Sequence, residues 1–262
     1  MPDRKTLILY VCAAALVLGL YLTLDALRRA HEAQIADRLP LAVDQLASES
    51  PEIRLGGVYA LERIAMVSEK DYGSVAQILT AFVRERSAWK DSRTPLADQP
   101  LSRRAPDIQA VLTVLGRRAR TYQDGEVERL NLARTDLRRA NLKGTHLEGA
   151  ILSGAHLEGA DLTGAHLKWT ISRGAHLEQA VVQGADLQEA FLGEAQLEGA
   201  LLKGANLQEA YLIGAHLEGA NLLEADLRGA IGLTWDQIKT AFRDQGTKLP
   251  DYLRASRQTR RD

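Results

Sequence analysis

Three histidines, His156, His176 and His216, are each followed two residues later by a glutamate, Glu158, Glu178 and Glu218. Imidazole and carboxylate so close together can ligate a divalent cation or titrate together near neutral pH. No thiol reinforces a metal reading, because the single cysteine, Cys12, lies far away inside an apolar run. Nor does the chain carry paired carboxylates, a Ser-His-Asp order or a phosphate-cradling glycine loop. No catalytic residue, cofactor or metal is assigned, and the chain is expected not to be an enzyme.

The elements that position these side chains repeat every five residues. From Leu132 to Leu227 the central residue of each pentapeptide, position i, is leucine in 18 of 20 cases, with Ser172 and Val182 the exceptions. At i−2 alanine fills 16 of 20 positions, and at i+2 glycine fills 12 of 20. That regularity specifies a repeat architecture. A helix cannot use it, because residues five apart are rotated by about 140° and the leucines would smear around the axis. A straight strand fails too, since an odd period sends successive leucines to opposite faces. The chain must bend once per repeat, with alanine and leucine inward, i−1 and i+1 outward, and glycine at the corner.

The units ANLKG, ADLTG, ADLQE, ANLQE and ADLRG match the A-(D/N)-L-x-x pattern of the pentapeptide-repeat family, which the chain resembles over about 40 percent of its length. The resemblance implies an all-β right-handed quadrilateral β-helix with four repeats per coil. Five coils would then stand about 24 Å tall. It implies little about function, because family roles differ widely and the inward residues are structural. Function is therefore sought in the outward columns that such stacking creates. One face reads Asn131, Ile151, Ile171, Phe191, Tyr211, with Trp169 at the corner beside Ile171 and Ile213 next to Tyr211. Burying half of such a stripe stabilises by several kcal/mol at about 25 cal/mol per Å², so a cover is expected. The chain's own helical domain or C-terminal segment, a protein partner or a second copy could supply it. Ile151, Trp169, Ile171, Phe191 and Tyr211 are the expected partner contacts.

The neighbouring face reads Asp136, His156, His176, Gln196, His216, flanked by Arg138, Glu158, Glu178, Glu198, Glu218. A flat stacked face lacks the concavity of a metal site, which favours a solvated, weakly pH-sensitive surface. Ser172 places a hydroxyl where leucine should fill the core. A local bend or a buried hydrogen bond is expected there.

Ahead of the array, residues 6–24 form a 19-residue run without a charge, bracketed by Arg4 and Lys5 and by Asp25, Arg28 and Arg29. Such a run just spans about 30 Å of hydrocarbon as a helix, predicting a single-pass N-terminal membrane anchor over 1–25. The slight excess of Arg28, Arg29 and Arg38 over Arg4 and Lys5 predicts a cytoplasmic body. Residues 26–120 show helical spacing, as at Val75, Ile78, Leu79, Phe82, Val83 and again at Ile108, Val111, Leu112, Leu115. Ser50-Pro51-Glu52 marks a helix start, and Ile53, Gly57, Leu61 and Ile64 share a face. PEIRLGGVYALERIA resembles a HEAT- or armadillo-type helix, and Gly56 and Gly57 within it predict a close helix contact or a bend. A small all-α domain with a surface loop over 90–105 follows.

The array then occupies 121–230, a cap 231–253 and a basic tail 254–262. Thr234 is expected to cap a short helix whose Trp235, Ile238 and Phe242 close the open end of the coil.

The net charge of −1 announces no nucleic-acid partner. The function expected first is a non-enzymatic, membrane-anchored scaffold that presents its outer faces to a protein. A homo-oligomer is compatible, through the stripe or through the small pair Ala15 and Gly19. The alternative is the DNA-mimicking, topoisomerase-binding role implied by the quinolone-resistance members of the family. Residues 130–230 hold 8 Lys/Arg against 13 Asp/Glu, a modest acidity for that role.

Overall fold

The computed structural model describes residues 16–26, 38–68, 70–89, 99–117 and 129–258. Residues 16–26 form a helix whose leucines are exposed. Among the described residues no helix is long and apolar enough to cross a membrane. That finding corrects the single-pass membrane localisation expected from residues 6–24, together with the cytoplasmic placement inferred from its flanks. Residues 6–15, with Cys12 and Ala15, lie outside the described residues, as do 90–98 and 118–128.

The helical unit contains α1 (38–46), α2 (Pro51–Val67), α3 (Tyr72–Arg86), α4 (Leu101–Arg104) and α5 (Pro106–Gly116). Ser50 caps α2, its hydroxyl accepting from the Ile53 amide at 3.4 Å, and Pro51 occupies the first turn where no donor is needed. Helix α5 packs on α2, α3 and α4, burying Val58, Leu61, Val75, Leu79, Val83, Ile108 and Leu112. Gly57 explains its own presence: a Cβ there would sit 2.7 Å from the Leu46 nitrogen and 2.8 Å from the Ala42 oxygen, so α1 lies directly on α2.

Two details depart from the sequence pattern. Ile53 is exposed and Arg54 is buried in its place, because Arg54 pairs with Asp107 at 2.6 Å and donates to the Ser48 and Glu49 carbonyls. Within the expected loop, Leu101–Arg104 is helical and Leu101 is fully buried.

From Asn131 to Tyr211 each i−1 residue forms a parallel β-bridge with the residue 20 positions ahead, as in Asn131 to Ile151 and Ile151 to Ile171. Four repeats thus close one coil, and twenty make five. From the second repeat on, each bends at a turn closed by the next i−2 amide donating to the i carbonyl, for example Ala150 to Leu147 at 3.0 Å. The third residue of that turn is left-handed, the type II pattern that favours glycine. Even where glycine is missing the backbone obeys: Arg134, Arg139, Trp169, Gln179, Glu189, Glu194, Glu209 and Glu224 all have φ between 54° and 59°. The alanine and leucine columns are buried throughout. Thr135, Thr145 and Thr170 replace alanine at no polar cost, since each hydroxyl donates to the carbonyl three residues back. At Ser172 the ladder runs unbroken, its amide donating to the Phe191 carbonyl at 2.9 Å, so no bend forms there.

Both ends of the column are closed. On the first coil the Asp136 amide donates to the Ser87 carbonyl, Asn141 exchanges two hydrogen bonds with the Gln109 side chain, and the His146 amide donates to the Gly116 carbonyl. The helical unit therefore sits on the end of the column, where open-edge amides need partners.

At the far end Ile231, Phe242 and Lys248 continue the bridges, and Gln237 donates to the Leu212 and Ala215 carbonyls at 2.8 Å each. Helix α6 (Trp235–Ile238) carries a full capping box at Thr234 and buries Ile238; α7 (Asp251–Gln258) follows. Phe242 lies beyond α6 and closes the coil through its backbone alone, its side chain being exposed instead of sharing an apolar face with α6 as the sequence suggested.

Candidate interaction surface on the outer faces

The bridges place Ile151, Ile171, Phe191 and Tyr211 directly above one another, and Ile231 extends the column by one coil. The Phe191 and Tyr211 rings stack with centroids 4.7 Å apart and planes 5° from parallel. Ile151, Trp169 and Ile171 are half-buried, whereas Phe191 is 42% exposed, Tyr211 37%, Ile213 61% and Ile231 42%. The open part of the stripe therefore lies toward the C-terminal end. Neither described cap lies across it: the helical unit engages the first coil, and the C-terminal segment meets the stripe only at its foot, where a Cβ on Gly232 would strike Ile213. Ile231 escaped the sequence count, although it occupies the next i−1 position of the same period.

On the adjacent face His156 and His176 stack at 4.1 Å. Each ring Nδ1 meets the glutamate two residues on, His156 with Glu158 at 2.9 Å and His176 with Glu178 at 3.3 Å. His216 lies 3.7 Å from Glu198. Trp89, from the strand-like segment after α3, stacks on His156 at 3.4 Å, and Arg138 lies over the indole at 4.9 Å. Nothing in the sequence links Trp89 to His156, because the contact exists only once the helical unit has docked. Burial pushes the Asp136 carboxyl up, but hydrogen bonds from Arg138 and the charge of Arg104 outweigh it and hold it below the usual carboxylate range.

Glu158, Glu178, Glu198 and Glu218 pair only with histidines, but much of the remaining acidic surface is neutralised. Lys168 pairs with Asp186, Arg173 with Glu194, Lys203 with Glu224, and Arg228 with Asp226, at 2.7 to 3.4 Å. Neutralised acids of this kind suit a mixed surface better than an imitation of a polyanion.

Fold and surface together define a capped solenoid with one apolar face open to solvent. Residues 131–168, 173–204 and 205–231 match the pentapeptide-repeat model in eight copies, and the chain belongs to the pentapeptide-repeat family, whose right-handed quadrilateral β-helix it shares. Among solved structures, QnrB1, a plasmid-mediated fluoroquinolone resistance protein, is 23% identical over 50% of this chain and 71% of its own, with a TM-score of 0.32. HetL from the cyanobacterium Nostoc sp. strain PCC 7120, involved in heterocyst differentiation regulation, is 31% identical over 38% of this chain and 53% of its own, at 0.25. The pentapeptide repeat protein alr5209 from Nostoc PCC 7120 is 33% identical over 47% of this chain and 75% of its own, at 0.20. No curated protein matches the chain.

Proposed function

We propose that this protein is a non-enzymatic interaction scaffold whose partner docks on the apolar stripe. The observation that carries the proposal is the stacked, exposed pair Phe191 and Tyr211, prolonged by Ile213 and Ile231 and left open by both described caps. Flat aromatic pairs with aliphatic neighbours are the composition of interface cores. Ile151, Trp169 and Ile171 form the half-buried end of the same surface and contribute its edge contacts. The rigid column holds the stripe at fixed spacing, so little ordering entropy is lost on docking.

A photo-crosslinking residue at position 213, used in native extracts with mass spectrometry, identifies the bound protein. Phe191→Asp and Tyr211→Asp should each abolish the crosslink while leaving β-type circular dichroism intact. A crosslink that survives both substitutions sinks the assignment.

A further inference from the structure

The histidine–glutamate face is not flat where it meets the helical unit. A cavity of about 660 Å³ opens there, walled on one side by Pro100 and Ser102 at the start of α4 and on the other by Glu158, Asp161 and Glu178. It borders the carboxylates of Glu158 and Glu178 at the corner next to the histidine rings, which do not line it. Ligating atoms of His156, Glu158 and His176 all lie within 4.8 Å of one another, and Glu178 adds a carboxylate against His176. One oxygen of Glu158 and one of Glu178 are buried without a hydrogen-bond partner among the described residues, as is one each of Glu148 and Glu198 in the neighbouring clusters. Buried carboxylate oxygens call for a donor, an ordered water or a cation to answer them.

From this geometry we propose a site for a borderline divalent cation of the Zn²⁺ or Ni²⁺ class at His156, Glu158 and His176, with Glu178 beside it. Imidazole nitrogens with carboxylate oxygens and no thiol suit that class of ion. The 2.9 Å between His156 Nδ1 and Glu158 Oε1 is a hydrogen-bond distance, so an ion would replace the proton between them and open the pair to about 3.4 Å, the separation that two bonds of about 2.1 Å impose at a tetrahedral angle. The stacked rings must tilt apart to aim both lone pairs at one ion, since those lone pairs lie in the ring planes. Trp89 holds His156 from the opposite side and limits that tilt, and Arg138 and Arg139 add positive charge nearby that moderates affinity. Of the three similar clusters this is the one whose carboxylates border the cavity: Glu148 does not line it, and Glu198, His216 and Glu218 are more open to solvent.

Zn²⁺ titrated into the full chain by calorimetry should show one saturable equivalent at this site in the micromolar range. Glu158→Gln and His176→Asn should each weaken it about tenfold or more. His216→Asn, in the exposed cluster, should leave it unchanged. Ni²⁺ should quench Trp89 emission, and Trp89→Phe should remove that quench while retaining the Zn²⁺ heat. Circular dichroism confirms that each variant is folded. Absence of saturable heat up to millimolar Zn²⁺, wild-type binding by both Glu158→Gln and His176→Asn, or its loss in His216→Asn overturns the site.

Discussion

The indole of Trp89 lies 3.4 Å from the imidazole of His156, with the two planes 12° apart. This stack ties the segment after α3 to the second coil, next to the backbone bond from the Trp89 amide to the Arg134 carbonyl at 2.9 Å. Aromatic stacking and a cation over the ring are each worth about 0.5–1.5 kcal/mol. Trp89→Ala should therefore loosen docking by about 1–2 kcal/mol, and Trp89→Phe by less. Hydrogen exchange at the Trp89 and Asp136 amides measures it; protection equal to wild type in the alanine variant would show that the backbone bonds alone hold the joint.

Arg54 and Asp107 form an ion pair between α2 and α5 in which both side chains are more than nine-tenths buried. Arg54→Ala leaves the carboxylate without its partner in a dry environment, at an expected cost of about 3–5 kcal/mol. Arg54→Met with Asp107→Leu removes both charges and should cost much less, because the desolvation penalty disappears with them. Denaturant midpoints of the helical transition compare the two, and a double variant as unstable as the single one would refute this account.

Asp226 joins the last coil to the cap, receiving Arg228 at 2.7 Å and Lys248 at 3.3 Å. The Arg228 hydrogen bond above all, with help from Lys248, lowers its carboxyl from the usual 3.8 to about 2. A carboxyl lowered in the folded state stabilises above its unfolded value, and that contribution fades as pH falls from about 4 to about 2. Asp226→Asn should thus melt below wild type at neutral pH, with the difference closing toward pH 2. A gap that stays constant across that range would mean that charge plays no part.

The sequence by itself determined the column. An odd period of five, with leucine at i and alanine at i−2, has one economical solution, a bend in every repeat, and that bend survives at Trp169 and Glu189 where no glycine stands. The same period stacked Ile151, Ile171, Phe191 and Tyr211, because local geometry repeated identically needs no long-range information. By contrast, the apolar run over 6–24 suggested a membrane span from composition alone, and among the described residues no helix is long and apolar enough to carry one. Only the tertiary structure decided where the helical unit sits. Its docking depends on Ser87, Gln109 and Gly116 meeting three sides of the first coil at once, and no single segment encodes that coincidence. The same docking left Phe191 and Tyr211 open and walled in the face of His156 and Glu158. Which column faces solvent and which borders a cavity is thus a property of the assembled chain: exposure is set by what packs alongside, and a repeat specifies only its own interior.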